Sequence, residues 1–289
     1  MPGLERRNLH FEYSIESLYS NIMKNIEEII DKKALESRRK RSDHEDNFLQ
    51  KLAVQEIRDR LQFIKKRFEK ILVISGCPYY WQKTFTGAHV ISDNETLKFS
   101  QKGYDLVIHG MSLHYSNDPI GQLIQCRSVM EKGGLLLGIF LGGQTLNELR
   151  ESITAAEIEL TGGISPRVLP MIDIRDAGSF LMRAGFALPV ADVSAHKKSY
   201  NKTENLLHDL RKMGETNVLN HRLKSFTHPK LFSLTSNKYT ASQNLKDQKI
   251  EATFEFITIT GWVPSEDQPK PLKRGSAKMR LSDALKVKN

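Results

Sequence analysis

The chain has 289 residues, 39% of them hydrophobic and 27% charged, with a formal net charge of +9. That length suits one large domain with an appendage, or two modest ones. No apolar run reaches the roughly 20 residues of a membrane span, and the start, "MPGLERRNLHFEYSIESLYSN", holds acids and no secretory apolar stretch, so a cytoplasmic protein is expected. The two cysteines, Cys77 and Cys126, make neither a metal-ligand spacing nor a disulfide framework, and no metal is expected.

Residues 14–69 read as helical and highly charged. "NFLQKLAVQEIRDRLQFIKKRF" places Phe48, Leu49, Leu52, Ile57, Leu61, Ile64 and Phe68 near a 3.6-residue period, so one face is buried. "DKKALESRRKRSDHED", just before it, reads as a solvated charge run, a helix end or linker. From residue 70 short apolar runs alternate with amphipathic segments. "KILVIS", "AHVIS", "YDLVIHG" and "GGLLLGIF" read as four strands. Helices are expected over 118–131, 143–158 and 174–184, the last leading into the strand "FALPVADV". Such alternation predicts an α/β fold, a parallel sheet with helices on both faces. Residues 200–250 are polar, with helix around "ENLLHDLRKMG". "ATFEFITITGW" alternates strictly and predicts an antiparallel edge strand.

Several stretches carry a family resemblance. "YDLVIHGMSLHYSND" resembles the fourth strand and following loop of class I S-adenosylmethionine methyltransferases. "GGLLLGIFLGGQTLNELRESITAAEIELTGGISPRVLP", "DIRDAGSFLMRAGFALPVAD", "LLHDLRKMGETN" and "ITITGWVPSEDQPKPLKRGSAK" are similar to one subfamily. It comprises the alphaproteobacterial relatives of the mitochondrial complex I assembly factor with a methyltransferase fold. The malonyl-acyl-carrier-protein methyltransferase of biotin synthesis is related to it. The resemblance covers about residues 31–284. It implies a Rossmann-like sheet of seven strands, a helical lid inserted before the last strand, and a cofactor site over the strand ends. The expected organisation is a charged helical extension over 1–45, the methyltransferase-like core over 46–195, a helical lid over 196–250, and a closing strand with a basic tail over 251–289.

Against that pattern the cofactor loop is eroded. "ILVISGCPYYW" keeps Ser75 and Gly76, but Pro78 removes an amide donor and Tyr79 and Trp81 add bulk where bare backbone is needed. Only 27 residues separate Gly76 from Tyr104, whereas one strand–helix–strand unit takes about 30. The sheet is therefore expected to be shortened there. Since "VISDNETLKF" resembles the end of the family's third strand, the second strand and its ribose-binding acid are expected to be lost. The resemblance places Asp93 and Asn94 at the adenine edge and His109, Gly110 and Met111 at the end of the fourth strand. In "SLHYSNDP", His114 and Asn117 are candidate catalytic groups, and Asp118 followed by Pro119 reads as a helix start. Gly142 and Gly143 precede a helix and offer amides to an anion, while Arg150 and Arg167 are candidate grips for a carboxylate or phosphate. The family often has a histidine where this chain has Ser265.

The expected function is that of a methyltransferase-fold protein of the respiratory complex I assembly type. It would act on or bind a partner protein, a respiratory complex subunit by resemblance, with weak or no ordinary S-adenosylmethionine binding. One alternative is an active methyltransferase. A second is a nucleic-acid-binding protein without catalysis, suggested by the tail "KPLKRGSAKMRLSDALKVKN", which has seven Lys/Arg and one acid. The lack of interleaved aromatic residues in that tail argues against it.

Overall fold

The computed structural model describes residues 28–243, 249–268 and 275–276. Residues 1–27 and most of the basic tail, on which two of the expectations fall, lie outside the described residues. One mixed sheet organises the rest: β1 (Ile71–Ile74), β2 (His89–Ile91), β3 (Tyr104–Gly110), β4 (Met130–Leu141), β5 (Ala187–Tyr200) and β6 (Ile250–Trp262), in the order β2-β1-β3-β4-β6-β5. Strands β1 to β4 pair in parallel, and β6 runs antiparallel to both of its neighbours. The helices are α1 (Lys32–Arg39), α2 (Phe48–Phe63), α3 (Tyr79–Thr84), α4 (Pro119–Ser128), α5 (Asn147–Thr161), α6 (Ile174–Arg183), α7 (Thr203–Met213) and α8 (Pro229–Ser242).

Period-two alternation sorts the strand residues into two cores. Leu106 and Ile108 of β3 and Leu135, Leu137 and Ile139 of β4 face one side, where α2, α5, α7 and α8 pack. Val107, Leu136 and Phe140 face the other, against Leu123 and Cys126 of α4 and Ala177 and Leu181 of α6. The result is the α/β/α arrangement expected from the alternating pattern. Helix α2 is further tied to β5: Glu56 accepts from His196 at 2.7 Å, and Arg60 pairs with Asp192.

Three local readings change. The charge run "DKKALESRRKRSDHED" is not a linker but contains α1, capped by Asp31, whose carboxylate accepts from the Ala34 amide at 2.9 Å. Strand β6 is not an edge: it lies between β4 and β5, which makes β5 the edge. Among the described residues one strand lies outboard of β1, so the sheet is short where the narrow gap required it. That strand, β2, is bonded to β1 itself. The vacant place is thus the outer one, not the one beside β1 as the resemblance to a third strand suggested. The interval 196–250 contains the end of β5, α7 and α8.

Trp81 accounts for part of the odd loop. It is fully buried, its indole donates to Gln50 Oε1 at 2.8 Å, and its ring lies 2.5 Å from where a Cβ on Gly110 would stand. Gly110 therefore lets an aromatic residue pack on the end of β3. The start of α4 follows its cap signal: Asp118 accepts from the Gly121 amide at 2.8 Å, with Pro119 in the first turn. Asp118→Ala should lower stability by about 1 kcal/mol. Urea denaturation checks this, and a loss below about 0.3 kcal/mol would show that the cap does not hold the helix.

Candidate functional site

The parallel strands β1, β2 and β3 end on the same side of the sheet, and a buried polar cluster stands over those ends. The loop after β1 is fixed by backbone bonds. The Ser75 amide donates to Ile91 O at 3.1 Å, and Ser75 Oγ accepts from the Cys77 amide at 3.2 Å. Gly76 follows, and a Cβ there would stand 1.9 Å from Nη1 of Arg39. Glycine is required because a guanidinium lies against the backbone, not because the loop is bare. Arg39 Nη1 donates to both oxygens of Asp93, at 2.8 and 3.0 Å. The two side chains are only 14% and 6% exposed, so this is an interior ion pair rather than a surface one. The guanidinium carbon also lies 5.4 Å from the Tyr115 ring centre, a cation–π distance.

Beyond Tyr115 the cluster continues. The Tyr115 hydroxyl donates to Glu215, which follows α7. His114 Nε2 is 3.8 Å from the same carboxylate, too far to hydrogen-bond, and both His114 ring nitrogens lack hydrogen-bond partners. Burial alone would raise the Asp93 and Glu215 carboxyls. The Arg39 charge and hydrogen bonds outweigh it at Asp93, and the nearby His114, the Tyr115 hydroxyl and the Arg39 charge together do so at Glu215, so both are held below their ordinary values. Burial pushes the Tyr115 hydroxyl well above its ordinary value and the Cys77 thiol up to about 11. It pushes His109 down to about 4, against the opposing hydrogen bond to Gln122 at 2.9 Å. His109 is therefore a neutral buried group at neutral pH.

The other candidates are placed as follows. Asn117 is engaged with the segment before α1: Oδ1 accepts from the Ile30 amide at 2.8 Å and Nδ2 donates to the Ile30 carbonyl at 3.2 Å. Asn94 is exposed and contributes its carbonyl to Gln122 at 3.0 Å. Met111 has a left-handed φ of 51° and buries its side chain in the core. The Gly142 amide does not face an open anion site, since it donates to Glu255 O at 2.8 Å. The Glu255 carboxylate lies 2.6 Å from where a Cβ on Gly142 would stand. A Cβ on Gly143 would stand 3.7 Å from Ile172 O, an ordinary contact. Arg150 donates to the Thr145 and Leu169 carbonyls, and Arg167 pairs with Glu157 at 2.7 Å. Ser265 lies beside Gly133, near the start of β4 and at the opposite end of the sheet from the cluster.

Arg39, Tyr115 and Glu215 were not among the sequence candidates. Arg39 sits in a charge run whose helix buries only Leu35 among its apolar residues, so no periodicity marked it. Glu215 did carry a signal, since it stands in the family-like stretch "LLHDLRKMGETN". The segment bearing Arg39 is clamped along its length. Lys32 pairs with Glu95 at 2.7 Å and donates to Tyr115 O at 2.9 Å, and the Asp31 amide donates to Val218 O at 2.8 Å. Arg39 is thus seated over Gly76 at the strand ends and pairs there with Asp93.

No protein-family model matches the chain. It is 33% identical over 198 residues to "Arginine-hydroxylase NDUFAF5, mitochondrial" of Danio rerio, covering 68% of this chain and 61% of that protein. The human NDUFAF5 protein is 34% identical over 200 residues, covering 69% of this chain and 58% of that protein. The chain thus spans about three fifths of the length of these relatives. A Rickettsia prowazekii protein named "Putative methyltransferase RP459" is 30% identical over 171 residues, which cover 59% of this chain and 76% of that one. On this identity and coverage, the chain belongs to the family of the Rickettsia putative methyltransferase, to which the mitochondrial proteins named NDUFAF5 are also similar.

Proposed function

We propose that the chain serves as an assembly factor of the respiratory-complex type. It binds or acts on a protein partner, a respiratory complex subunit, and holds S-adenosylmethionine weakly or not at all in the ordinary pose. The observation that carries this reading is the Arg39 guanidinium, which fills the space over Gly76 and takes the Asp93 carboxylate. The relatives named as arginine hydroxylases support a fold used for chemistry other than methyl transfer. Among the described residues no helix is long and apolar enough to cross a membrane.

Calorimetric titration of the full chain with S-adenosylmethionine and S-adenosylhomocysteine tests the cofactor half. Dissociation constants in the millimolar range or weaker are expected. The expected loss of the acid beside β1 does not hold, since Asp93 follows β2 there; its capture by Arg39 forfeits a charge-assisted contact of roughly 1.5–3 kcal/mol, or about one to two orders of magnitude in affinity. Micromolar binding would overturn the reading.

A second reading, an active methyltransferase, is favoured by the position of Arg39 on a separate helix: withdrawal of α1 would free Gly76 and Asp93 together. Arg39→Ala tests the block that both readings share: cofactor binding at least tenfold tighter is expected, and unchanged weak binding would show that Arg39 is not what excludes the cofactor. Micromolar binding by the parent chain, with α1 withdrawing unaided, favours the methyltransferase.

A further inference from the structure

Between α1, α7 and the segment 216–227 lies a cleft of about 560 Å³ with five cations on its walls: Arg38, Arg167, Arg211, Arg222 and Lys224. Two of them have carboxylate partners, Arg167 with Glu157 and Arg222 with Asp31. Arg38, Arg211 and Lys224 make no ion pair among the described residues. Like charges held together without counter-charges repel, and folding tolerates this only where something else requires it. Arg38 shows the strain. Its Nε is buried without a hydrogen-bond partner. Burial, followed by the charges of Arg41, Arg222 and Arg211, holds its guanidinium below the ordinary value.

The cleft shares walls with a second space. Arg167, Arg211, Thr216 and Asn217 also line a cavity of about 230 Å³, whose other walls include Leu141, Leu149, Leu169, Met171, Leu207 and Phe254. Tyr115 and Glu215 of the buried cluster also line it. Where the two spaces meet, Thr216 Oγ1 is buried and has no hydrogen-bond partner. A buried hydroxyl without a partner is costly, by about 1–3 kcal/mol. The junction thus offers an unused donor and several unpaired cations at the mouth of an apolar chamber.

We propose that cleft and cavity form one binding site for an amphipathic anion: an apolar chain seated in the cavity, with a carboxylate or phosphate head held by Arg38, Arg211 and the Thr216 hydroxyl. Guanidinium groups match both head groups by paired N–H donors. The apolar walls bury the chain, each methylene contributing about 0.8 kcal/mol. The site does not depend on the cofactor reading. Its test uses no S-adenosylmethionine, so either can fail while the other stands.

The experiment is calorimetric titration of the full chain with decanoate, monodecyl phosphate, decan-1-ol and inorganic phosphate. One of the two anionic chains, or both, should bind at one per protein and at least tenfold tighter than decan-1-ol and than inorganic phosphate. The better of the two heads identifies the natural source, carboxylate or phosphate ester. In the Arg38→Ala/Arg211→Ala variant, anionic-chain affinity should fall at least tenfold while decan-1-ol affinity stays unchanged. Because neither arginine has an ion-pair partner, this variant should melt no lower than the parent, which separates loss of binding from loss of fold. Equal binding of decan-1-ol and the anions, equal binding of inorganic phosphate and monodecyl phosphate, or no effect of the double substitution in a folded protein would each overturn the proposal.

Discussion

Asp93→Ala should destabilise the protein by about 3–5 kcal/mol, because it leaves the Arg39 guanidinium buried without its counter-charge. The pair is far from a surface salt bridge, for which 0–1 kcal/mol would be typical: Asp93 is 6% exposed and Arg39 14%. Arg39→Ala should also destabilise, since it strands a buried carboxylate. The combined variant Arg39→Met/Asp93→Ala should recover much of the loss, because neither charge then remains to be solvated. Urea unfolding of the parent and the three variants closes this cycle. If each single substitution lowers stability by less than about 1 kcal/mol, the guanidinium is not confined over Gly76. The proposed block to the cofactor pose then falls with it.

Acid should weaken the fold in two separate windows. His109 is fully buried and its pKa falls from 6.5 to about 4. As pH drops below 6.5, the unfolded chain takes up a proton that the folded chain refuses, so stability decreases until about pH 4 and then levels off for this group. A depression of this size corresponds to about 3 kcal/mol across the window. Asp93 and Glu215 act lower. Their folded-state values lie beneath the ordinary 3.8 and 4.5. Their stabilisation is complete above those values and is lost as pH falls through the folded ones. Unfolding free energies measured from pH 7.5 to 3 should therefore show a first decline that His109→Asn removes and a second that it leaves in place. A first decline of the same slope in the variant would assign it to other groups.

Much of the fold was legible because its signals are local. The runs "KILVIS", "YDLVIHG" and "GGLLLGIF" are apolar on both faces, as central parallel strands must be, and they became β1, β3 and β4. The cap at Asp118 was readable from two adjacent residues. The site was less legible because its defining contacts are remote. Tyr115 meets Glu215 across 100 residues, and Arg39 meets Asp93 across 54. A charged residue in a charge run carries no mark of burial, so α1 read as a solvated helix end or linker. The position of β2 was misassigned for a similar reason. A three-residue strand has too little pattern to say which neighbour it will pair with, and only the ladder to β1 settles it.

The placement of β6 governs how the chain is assembled during synthesis. It lies between β4 and β5 in space but is made after both. Until Trp262 has left the ribosome, the facing edges of β4 and β5 have no partner. The interval from Tyr200 to Ile250 takes about 3–10 s at ordinary elongation rates. During that time the nascent chain carries two long unpaired strand edges, one of them bearing Leu188, Val190 and Val193, which stay exposed even in the finished fold. Such edges recruit other chains. Closure of the sheet is therefore a late, long-range step, and the half-made protein depends on chaperones or slow synthesis more than its finished fold suggests.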